Sequence, residues 1–376
     1  MQRSDLIPFN DLSRTAPEVM SQIETAVAAV LASGWYVMGP QHSALETELS
    51  EYLGVAHTVL LGNGTDALEL ALAAVGVGPG HTVLGIANAG AYTTVAVRLL
   101  GATPIYCDVS PDTLLATGPL VREALDRAEI KPTAIVVTHL FGAMAPIEEI
   151  VAVAREYGIA VVEDCAQSIG ARSGGRQSGS FADIATTSFY PTKNLGALGD
   201  GGAVFTDDAD LAQSVRRMRQ YGWDSKYHIG YDHGRNSRMD ELQAAIVRVK
   251  LPYLDGWNER RREIHSRYET AIVDGSGARL LNSSSPSFTA HLAVLVADDR
   301  ARVKEHFTAA GIGTDVHYPV PDHQQGFPTN PPAPVSLPAT ERAAGSVLSL
   351  PMFPELTESE IDRVCAALTE LGGTHD

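Results

Sequence analysis

One lysine lies in an unusual setting in the segment SFYPTKNLGALGDGGAV, residues 188 to 204. Lys193 follows an apolar, β-prone run, and the hydroxyl-bearing residues and glycines around it suit a tight polar pocket. A lysine amine with an ordinary pKa of about 10.4 is protonated at neutral pH. Burial in such a pocket lowers the pKa and makes the amine a nucleophile. The alternative is an ordinary surface charge, so the choice depends on other segments.

Two acidic residues end a β-branched run in the segment VVEDCAQSIGA, residues 161 to 171. Glu163 and Asp164 would stand at the carboxyl end of a parallel strand, where open α/β sheets place ligand-contacting side chains. They could instead cap the following turn. A buried carboxylate needs a cationic partner, and none lies nearby in sequence. A protonated ring nitrogen could supply that cation.

The segment GNGTDAL, residues 62 to 68, forms a predicted strand-to-helix turn. Its glycines permit close backbone approach, and the amides of Thr65 and Asp66 at a helix N-terminus could donate to an anion. We expect Thr65 or Asp66 near the N-cap. The segment lacks the spacing of a nucleotide P-loop or a dinucleotide fingerprint. It is therefore either a phosphate cup or an ordinary capped turn.

Together these three features match the requirements of pyridoxal phosphate. The lysine would form a Schiff base, Asp164 would keep the pyridine nitrogen protonated, and the turn would hold the phosphate. Asp164 precedes Lys193 by 29 positions, so only the fold can bring the two together.

The elements that must position these residues follow an alternating pattern. From about residue 55 to 210, β-branched runs alternate with helical stretches, which predicts an α/β domain with a mainly parallel sheet. Residues 235 to 275 predict long helices broken at Pro252. We expect a large domain over residues 1 to 250 and a smaller α+β domain over residues 251 to 376. The proline-rich segment 324 to 338 predicts a surface loop.

Composition narrows the class of protein. A net charge of −17 over 376 residues disfavours binding to nucleic acid or anionic membranes. The sequence has neither a signal peptide pattern nor an apolar run of spanning length, so we expect a cytoplasmic protein. The three cysteines form no CxxC pair, which predicts free thiols and no metal site of that kind.

The chain resembles the DegT/DnrJ/EryC1/StrS family of sugar aminotransferases over nearly its whole length. The resemblance rests on long motifs, among them SGWYVMGPQHSALETELSEYLG, GNGTDALELAL, THLFG, EDCAQSIGA, SFYPTKNLGALGDGGAVFT, GRNSRMDELQAAI and VHYPVPDHQ. It implies the fold-type-I architecture of aspartate aminotransferase, with pyridoxal 5′-phosphate as cofactor. It also implies a homodimer with shared active sites.

The resemblance assigns a role to each matching residue. Lys193 and Asp164 are implied to be the Schiff-base lysine and the partner of the pyridine nitrogen. Further cofactor contacts are implied for Gly64, Thr65, Gln167, Ser188 and, from the neighbouring subunit, Asn236. His317 and Tyr318 match a motif near the substrate, although an aromatic pair packed under a loop is the alternative.

The sequence departs from the family pattern at one position. Family members have an aromatic residue that stacks on the cofactor, but Gly90 occupies that position in GIANAGAYTTVAVRLLGATP. The nearest ring is that of Tyr92. Either Tyr92 takes over the stacking role through a local backbone shift, or this face of the cofactor is open.

The implied activity is transfer of an amino group from L-glutamate to the C4 or C3 keto carbon of a nucleotide-linked keto-6-deoxyhexose, with dTDP as the expected nucleotide. Such a reaction serves amino-sugar and antibiotic biosynthesis. A cyclitol aminotransferase of the scyllo-inosose type is the nearest alternative. A sugar dehydratase is disfavoured because related dehydratases replace the lysine with histidine. A non-catalytic cofactor-binding protein is disfavoured because every catalytic group is in place.

Overall fold

The computed structural model describes residues 6–328 and 334–372. The helices are α1 Pro17–Ser33, α2 Pro40–Leu53, α3 Gly64–Ala74, α4 Tyr92–Leu99, α5 Gly118–Arg127, α6 Ile147–Tyr157, α7 Ala209–Met218, α8 Glu241–Lys250, α9 Leu254–Ala271, α10 Arg300–Ala309, α11 Pro338–Ser346 and α12 Glu358–Glu370. The strands are β1 His57–Leu61, β2 Thr82–Ile86, β3 Thr103–Cys107, β4 Ala134–Thr138, β5 Ala160–Asp164, β6 Arg172–Ser173, β7 Arg176–Gln177, β8 Ile184–Ser188, β9 Gly202–Thr206, β10 Trp223–Ser225, β11 His228–Ile229, β12 Ala278–Leu280, β13 Ala293–Ala297 and β14 Val347–Leu350.

The main sheet has seven strands in the order β1-β9-β8-β5-β4-β2-β3. Strands β3, β2, β4, β5 and β8 pair in parallel, and β9 runs antiparallel to both of its neighbours. Every residue of β2 and β4 is buried, because helices cover both faces of the sheet and leave no polar side. The predicted α/β class is confirmed.

A second sheet of three antiparallel strands, β12-β13-β14, lies in the C-terminal part. The helical region before it breaks as predicted, since α8 ends at Lys250 and Pro252 lies in a 3₁₀ turn before α9. The N-terminal segment joins this part, because Ile7 pairs with Ile312. The division of the chain near residue 250 stays a prediction.

The start of helix α3 agrees with the expectation for this turn. Asn63 is the N-cap and Gly64 is already helical, so Thr65 and Asp66 lie in the first turn, near the N-cap as expected. Asn63 has an extended backbone, and its side-chain oxygen accepts a hydrogen bond from the Asp66 amide at 2.8 Å. An asparagine amide satisfies a first-turn donor as well as a hydroxyl does.

Three other expectations concern the rest of the chain. Cys107, Cys165 and Cys365 are free thiols, as predicted. Across residues 6–328 and 334–372, no helix has the length and apolar character needed to cross a bilayer. The proline-rich loop prediction falls partly on residues 329 to 333, which lie outside the described residues.

Candidate active site

A cavity of about 640 Å³ lies at the carboxyl ends of β4, β5 and β8, closed on the other side by the C-terminal part of the chain. Nine of the ten predicted site residues line this cavity: Gly64, Thr65, Tyr92, Asp164, Gln167, Ser188, Lys193, His317 and Tyr318. The tenth, Asn236, does not line it and is exposed. The fold therefore brings together residues that are more than 250 positions apart in the sequence.

Lys193 lies in the loop after β8, with its side chain facing the cavity. The removal of water from around the amine lowers the pKa of Lys193 to about 8, and the charge of Asp164 opposes this shift. The amine therefore has a larger neutral fraction near physiological pH than a lysine with an ordinary pKa. The alternative of an ordinary surface charge does not hold for this lysine, because it lines the cavity.

The residue after Lys193 ties its loop to the C-terminal part of the chain. The Asn194 side-chain nitrogen donates to Asn258 Oδ1 at 2.7 Å and to the Thr289 carbonyl at 3.2 Å. Its oxygen lies 2.8 Å from Nδ1 of His291. Since all of these groups are buried, each is satisfied only by the others. Lys193 is thus held on a rigid support.

Asp164 ends β5 and is almost fully buried. Its carboxylate accepts hydrogen bonds from Thr138 Oγ1 at 3.2 Å and from the Ala166 amide at 3.1 Å. Burial raises the pKa of Asp164, while these hydrogen bonds and the charge of Lys193 oppose the rise. Within the described part of the chain no cation is hydrogen-bonded to this carboxylate. A protonated ring nitrogen would complete its environment, so the residues present fit the pyridine end of pyridoxal phosphate.

The neighbouring Glu163 has a structural role instead. His139 Nε2 lies 3.0 Å from its carboxylate, and the Ala145 amide donates to His139 Nδ1, so that Nε2 carries the proton. Three backbone amides also donate to Glu163, namely those of Gly179, Phe181 and Ala182. Burial disfavours the charged form, but these hydrogen bonds hold the pKa of Glu163 below its usual value. Cys165 lies near this pair, yet both imidazole nitrogens are already used, so the group is not a metal site.

The opposite end of the cavity suits a phosphate. Gly64 opens α3, and a Cβ atom there would lie 2.6 Å from Cβ of Ser188. Only glycine allows the helix start and the end of β8 to approach this closely. Because Asn63 caps the Asp66 amide, the amides of Gly64 and Thr65 remain available to an anion at the positive end of the helix.

Gln167 is held in one orientation between these ends. Its side-chain oxygen accepts a hydrogen bond from the Phe141 amide at 2.6 Å. Its nitrogen donates to the Tyr318 hydroxyl at 3.2 Å. The Gln167 nitrogen is therefore directed toward the cavity, although its predicted contact with the cofactor's 3′-oxygen stays a prediction.

His317 and Tyr318 close the cavity from the C-terminal part. Nδ1 of His317 lies 2.9 Å from the Ser349 hydroxyl, and its ring stacks on Phe9 with centroids 5.6 Å apart. Burial lowers the pKa of His317 and raises that of Tyr318. The ring pair thus faces the cavity rather than being packed entirely under a loop.

Sequence reasoning missed several cavity residues. Thr138 ends β4 as Asp164 ends β5, so the same strand-end argument applied to THLFG would have found it. His291 lines the cavity next to Asn194, but no local pattern marks it, because its contacts are made across about 100 residues of sequence.

Comparisons with known proteins agree with this geometry. Residues 17–369 match the model of the DegT/DnrJ/EryC1/StrS aminotransferase family. The chain is 42% identical to the erythromycin biosynthesis sensory transduction protein EryC1 of Saccharopolyspora erythraea, over 96% of this chain and 98% of that protein. It is 37% identical to the dTDP-3-amino-3,4,6-trideoxy-alpha-D-glucose transaminase of Streptomyces venezuelae, over 97% and 96% of the two chains. It is also 37% identical to the UDP-2-acetamido-2-deoxy-3-oxo-D-glucuronate aminotransferase of Pseudomonas aeruginosa, over 97% of this chain and all of that protein.

Solved structures give the same result. The DesV structure of S. venezuelae in complex with a ketimine intermediate matches with a TM-score of 0.93 and 36% identity, over 99% of this chain and 100% of that one. The NtdA structure of Bacillus subtilis with the bound cofactor PMP matches with a TM-score of 0.92 and 31% identity, over 98% and 86%. The chain belongs to the DegT/DnrJ/EryC1/StrS aminotransferase family. It is an aminotransferase that depends on pyridoxal phosphate, with the fold predicted from its sequence.

Proposed function

We propose that this enzyme transfers an amino group from L-glutamate to the C3 keto carbon of a dTDP-linked keto-6-deoxyhexose. The observation that carries the proposal is that Lys193 and Asp164 line one cavity, together with the N-terminus of α3. The choice of C3 is supported by the names of two relatives, one a 3-amino sugar transaminase and the other acting on a 3-oxo sugar. Their nucleotides differ, so dTDP is the part of the proposal that most needs testing.

The proposed role of the bound cofactor is to withdraw electrons from the carbon that loses or gains a proton. Asp164 would hold the pyridine nitrogen in its protonated form. Ser188, Gly64 and Thr65 would bind the phosphate. Lys193, once released, would act as the general base and acid that moves the proton at the reacting carbon, which its lowered pKa favours.

The amino donor and acceptor can be tested on the purified holoenzyme. Adding L-glutamate should bleach the visible absorption of the bound cofactor and release 2-oxoglutarate. Adding a dTDP-3-keto-6-deoxyhexose should then restore the absorption. Restoration only by the 4-keto isomer, by the UDP sugar or by scyllo-inosose would reassign the acceptor, and the last result would favour the cyclitol alternative. If no amino acid bleaches the absorption, glutamate-dependent transfer is wrong and a binding role is favoured.

We further propose a homodimer in which Asn236 reaches the phosphate site of a second copy. The side chain is exposed and lies outside the cavity of its own chain. The adjacent Arg235 forms ion pairs with Glu69 and Asp66 on α3, which fix the position of this loop. A residue held rigidly at the surface is suited to contacting a partner.

Mixing two inactive variants tests the shared site. Lys193→Ala and Asn236→Ala chains are combined, and subunits are allowed to exchange. If Asn236 acts on the second copy, hybrid dimers contain one intact site and activity returns. If activity does not return although exchange is shown by mass spectrometry, Asn236 does not act across the interface.

A further inference from the structure

Gly90 lies in the turn between β2 and α4 with a φ of +78°. A Cβ atom at this position would lie 2.8 Å from Cε1 and 2.9 Å from Cζ of Tyr318. The Tyr318 ring therefore occupies the space that any side chain at position 90 would need. The residue expected to be aromatic is a glycine, and a ring from elsewhere in the chain lies against it.

Tyr318 is anchored in this place from the cavity side. Its hydroxyl accepts a hydrogen bond from the Gln167 nitrogen at 3.2 Å, and its ring lines the cavity together with Asp164 and Lys193. The Tyr92 ring meets Tyr318 edge-on, with centroids 6.2 Å apart and an interplanar angle of 77°. Tyr92 also lines the cavity, but it is 51% exposed, so about half of its surface is open to solvent.

A buried carboxylate joins the segment that carries Tyr318 to the turn that contains Gly90. Asp322 accepts hydrogen bonds from the Ala91 amide and from Thr94 Oγ1, each at 2.8 Å. Its own amide donates to the Ala87 carbonyl at 2.7 Å. These three hydrogen bonds fix the position of the segment that carries Tyr318 relative to the turn that contains Gly90. The contact between the ring and Gly90 is therefore set by the fold and does not depend on one flexible side chain.

We propose that Tyr318 provides the aromatic surface that covers the cofactor ring, and that Gly90 lacks a side chain to admit it. The inference uses the cofactor site of the proposed function but is independent of the amino donor and acceptor. It differs from both alternatives that the sequence left open, namely that Tyr92 stacks on the cofactor or that this face is open. Tyr92 instead supports the outer edge of Tyr318.

The test measures the dissociation constant of pyridoxal phosphate for the apoprotein, with no amino donor or acceptor present. Tyr318→Ala should weaken cofactor binding roughly three- to tenfold, the range expected for loss of one aromatic stacking contact. Tyr318→Phe keeps the ring and should stay within about twofold of the original protein. Tyr92→Ala is the matched control and should have a smaller effect than Tyr318→Ala. If Tyr92→Ala has the larger effect, or if Tyr318→Ala has none, the proposal is wrong.

Gly90→Ala provides a second test, in which the dissociation constant of pyridoxal phosphate is measured with and without the Tyr318 ring. In the original protein the added methyl would displace the ring and weaken cofactor binding, in addition to the strain of a positive φ. In a Tyr318→Ala background only the strain remains, so Gly90→Ala should then change the dissociation constant much less. Equal effects in the two backgrounds would overturn the pairing of Gly90 with Tyr318. The melting temperature of each apoprotein shows whether the variant is folded, and a failure of the proposed acceptor would leave these results unchanged.

Discussion

The two sides of the cavity are built in different ways. The strand side consists of residues at the ends of β4, β5 and β8 and in the loop after β8, including Asp164 and Lys193. The C-terminal side includes His291, His317 and Tyr318, which come from segments outside the main sheet. A buried parallel sheet fixes the first side through backbone hydrogen bonds. Contacts between side chains that are distant in sequence fix the C-terminal side. Substitution of cavity-lining residues on the strand side should therefore mainly change the reaction rate. Substitution of residues that connect the two sides should mainly change the free energy of unfolding.

The largest effect is expected at Lys193. Lys193→Ala removes both the nucleophile and the proton-transferring group, and amino transfer should fall by about 10⁴-fold or more. The measurement is the rate of absorption change on mixing holoenzyme with L-glutamate. Lys250→Ala is the control, because Lys250 is a buried lysine that donates to the Gly196 carbonyl and does not line the cavity. A comparable loss of rate in both variants would mean that Lys193 supports the fold and takes no direct part in the reaction.

A second contrast lies within the strand side, between two adjacent acids. Asp164→Asn cannot hold the pyridine nitrogen protonated, and kcat should fall by about 10²-fold with little change in melting temperature. Glu163→Gln should instead destabilise the fold by about 3 kcal/mol, because both carboxylate oxygens accept only from buried donors and the NH2 group of glutamine would face donors in either orientation. Measuring kcat and the free energy of unfolding for both variants separates the two roles. If Glu163→Gln lowered kcat and Asp164→Asn lowered the free energy of unfolding instead, the assignment of Asp164 to the cofactor would be contradicted.

The connection between the two sides can be broken at Asn194. Asn194→Ala leaves Nδ1 of His291 and Oδ1 of Asn258 without their partner, and should cost about 1–3 kcal/mol of stability. Chemical denaturation of the apoprotein measures this loss. Thr192→Ala, at a cavity residue on the other side of Lys193, serves as the comparison and should cost less. A smaller loss for Asn194→Ala than for Thr192→Ala would show that the network does not join the two sides.

The smallest effect is a pH dependence of cofactor attachment. Burial lowers the pKa of Lys193 to about 8, and only the neutral amine attacks a carbonyl. As pH rises toward 8 the neutral fraction grows, so the rate at which apoprotein attaches pyridoxal phosphate should rise up to about tenfold per pH unit. The rate should level off above pH 8. A rise that continues beyond pH 10 would indicate an exposed lysine with an ordinary pKa.

The success of sequence reasoning differed between the two sides. Lys193 and Asp164 could be found because each follows a β-branched run, and such runs place their last residues at the same edge of a parallel sheet. Thr65 and Asp66 were correctly expected near the N-cap of α3, but Asn63 was not singled out as the cap, because all three are suitable capping residues at the level of sequence. Asn194 and His291 were missed because their partners lie far along the chain.

The sequence by itself determined the fold class, the cofactor chemistry and nine of the residues that line the cavity, because these depend on local runs and short motifs. The family resemblance pointed to Asp164, and only tertiary structure gives the physical reason that Glu163 is not free to meet a ligand, because backbone amides and His139 use up its carboxylate. It also decided what lies against Gly90. The ring of Tyr318 arrives from more than 220 positions away, and no local pattern in a sequence encodes an approach over that distance.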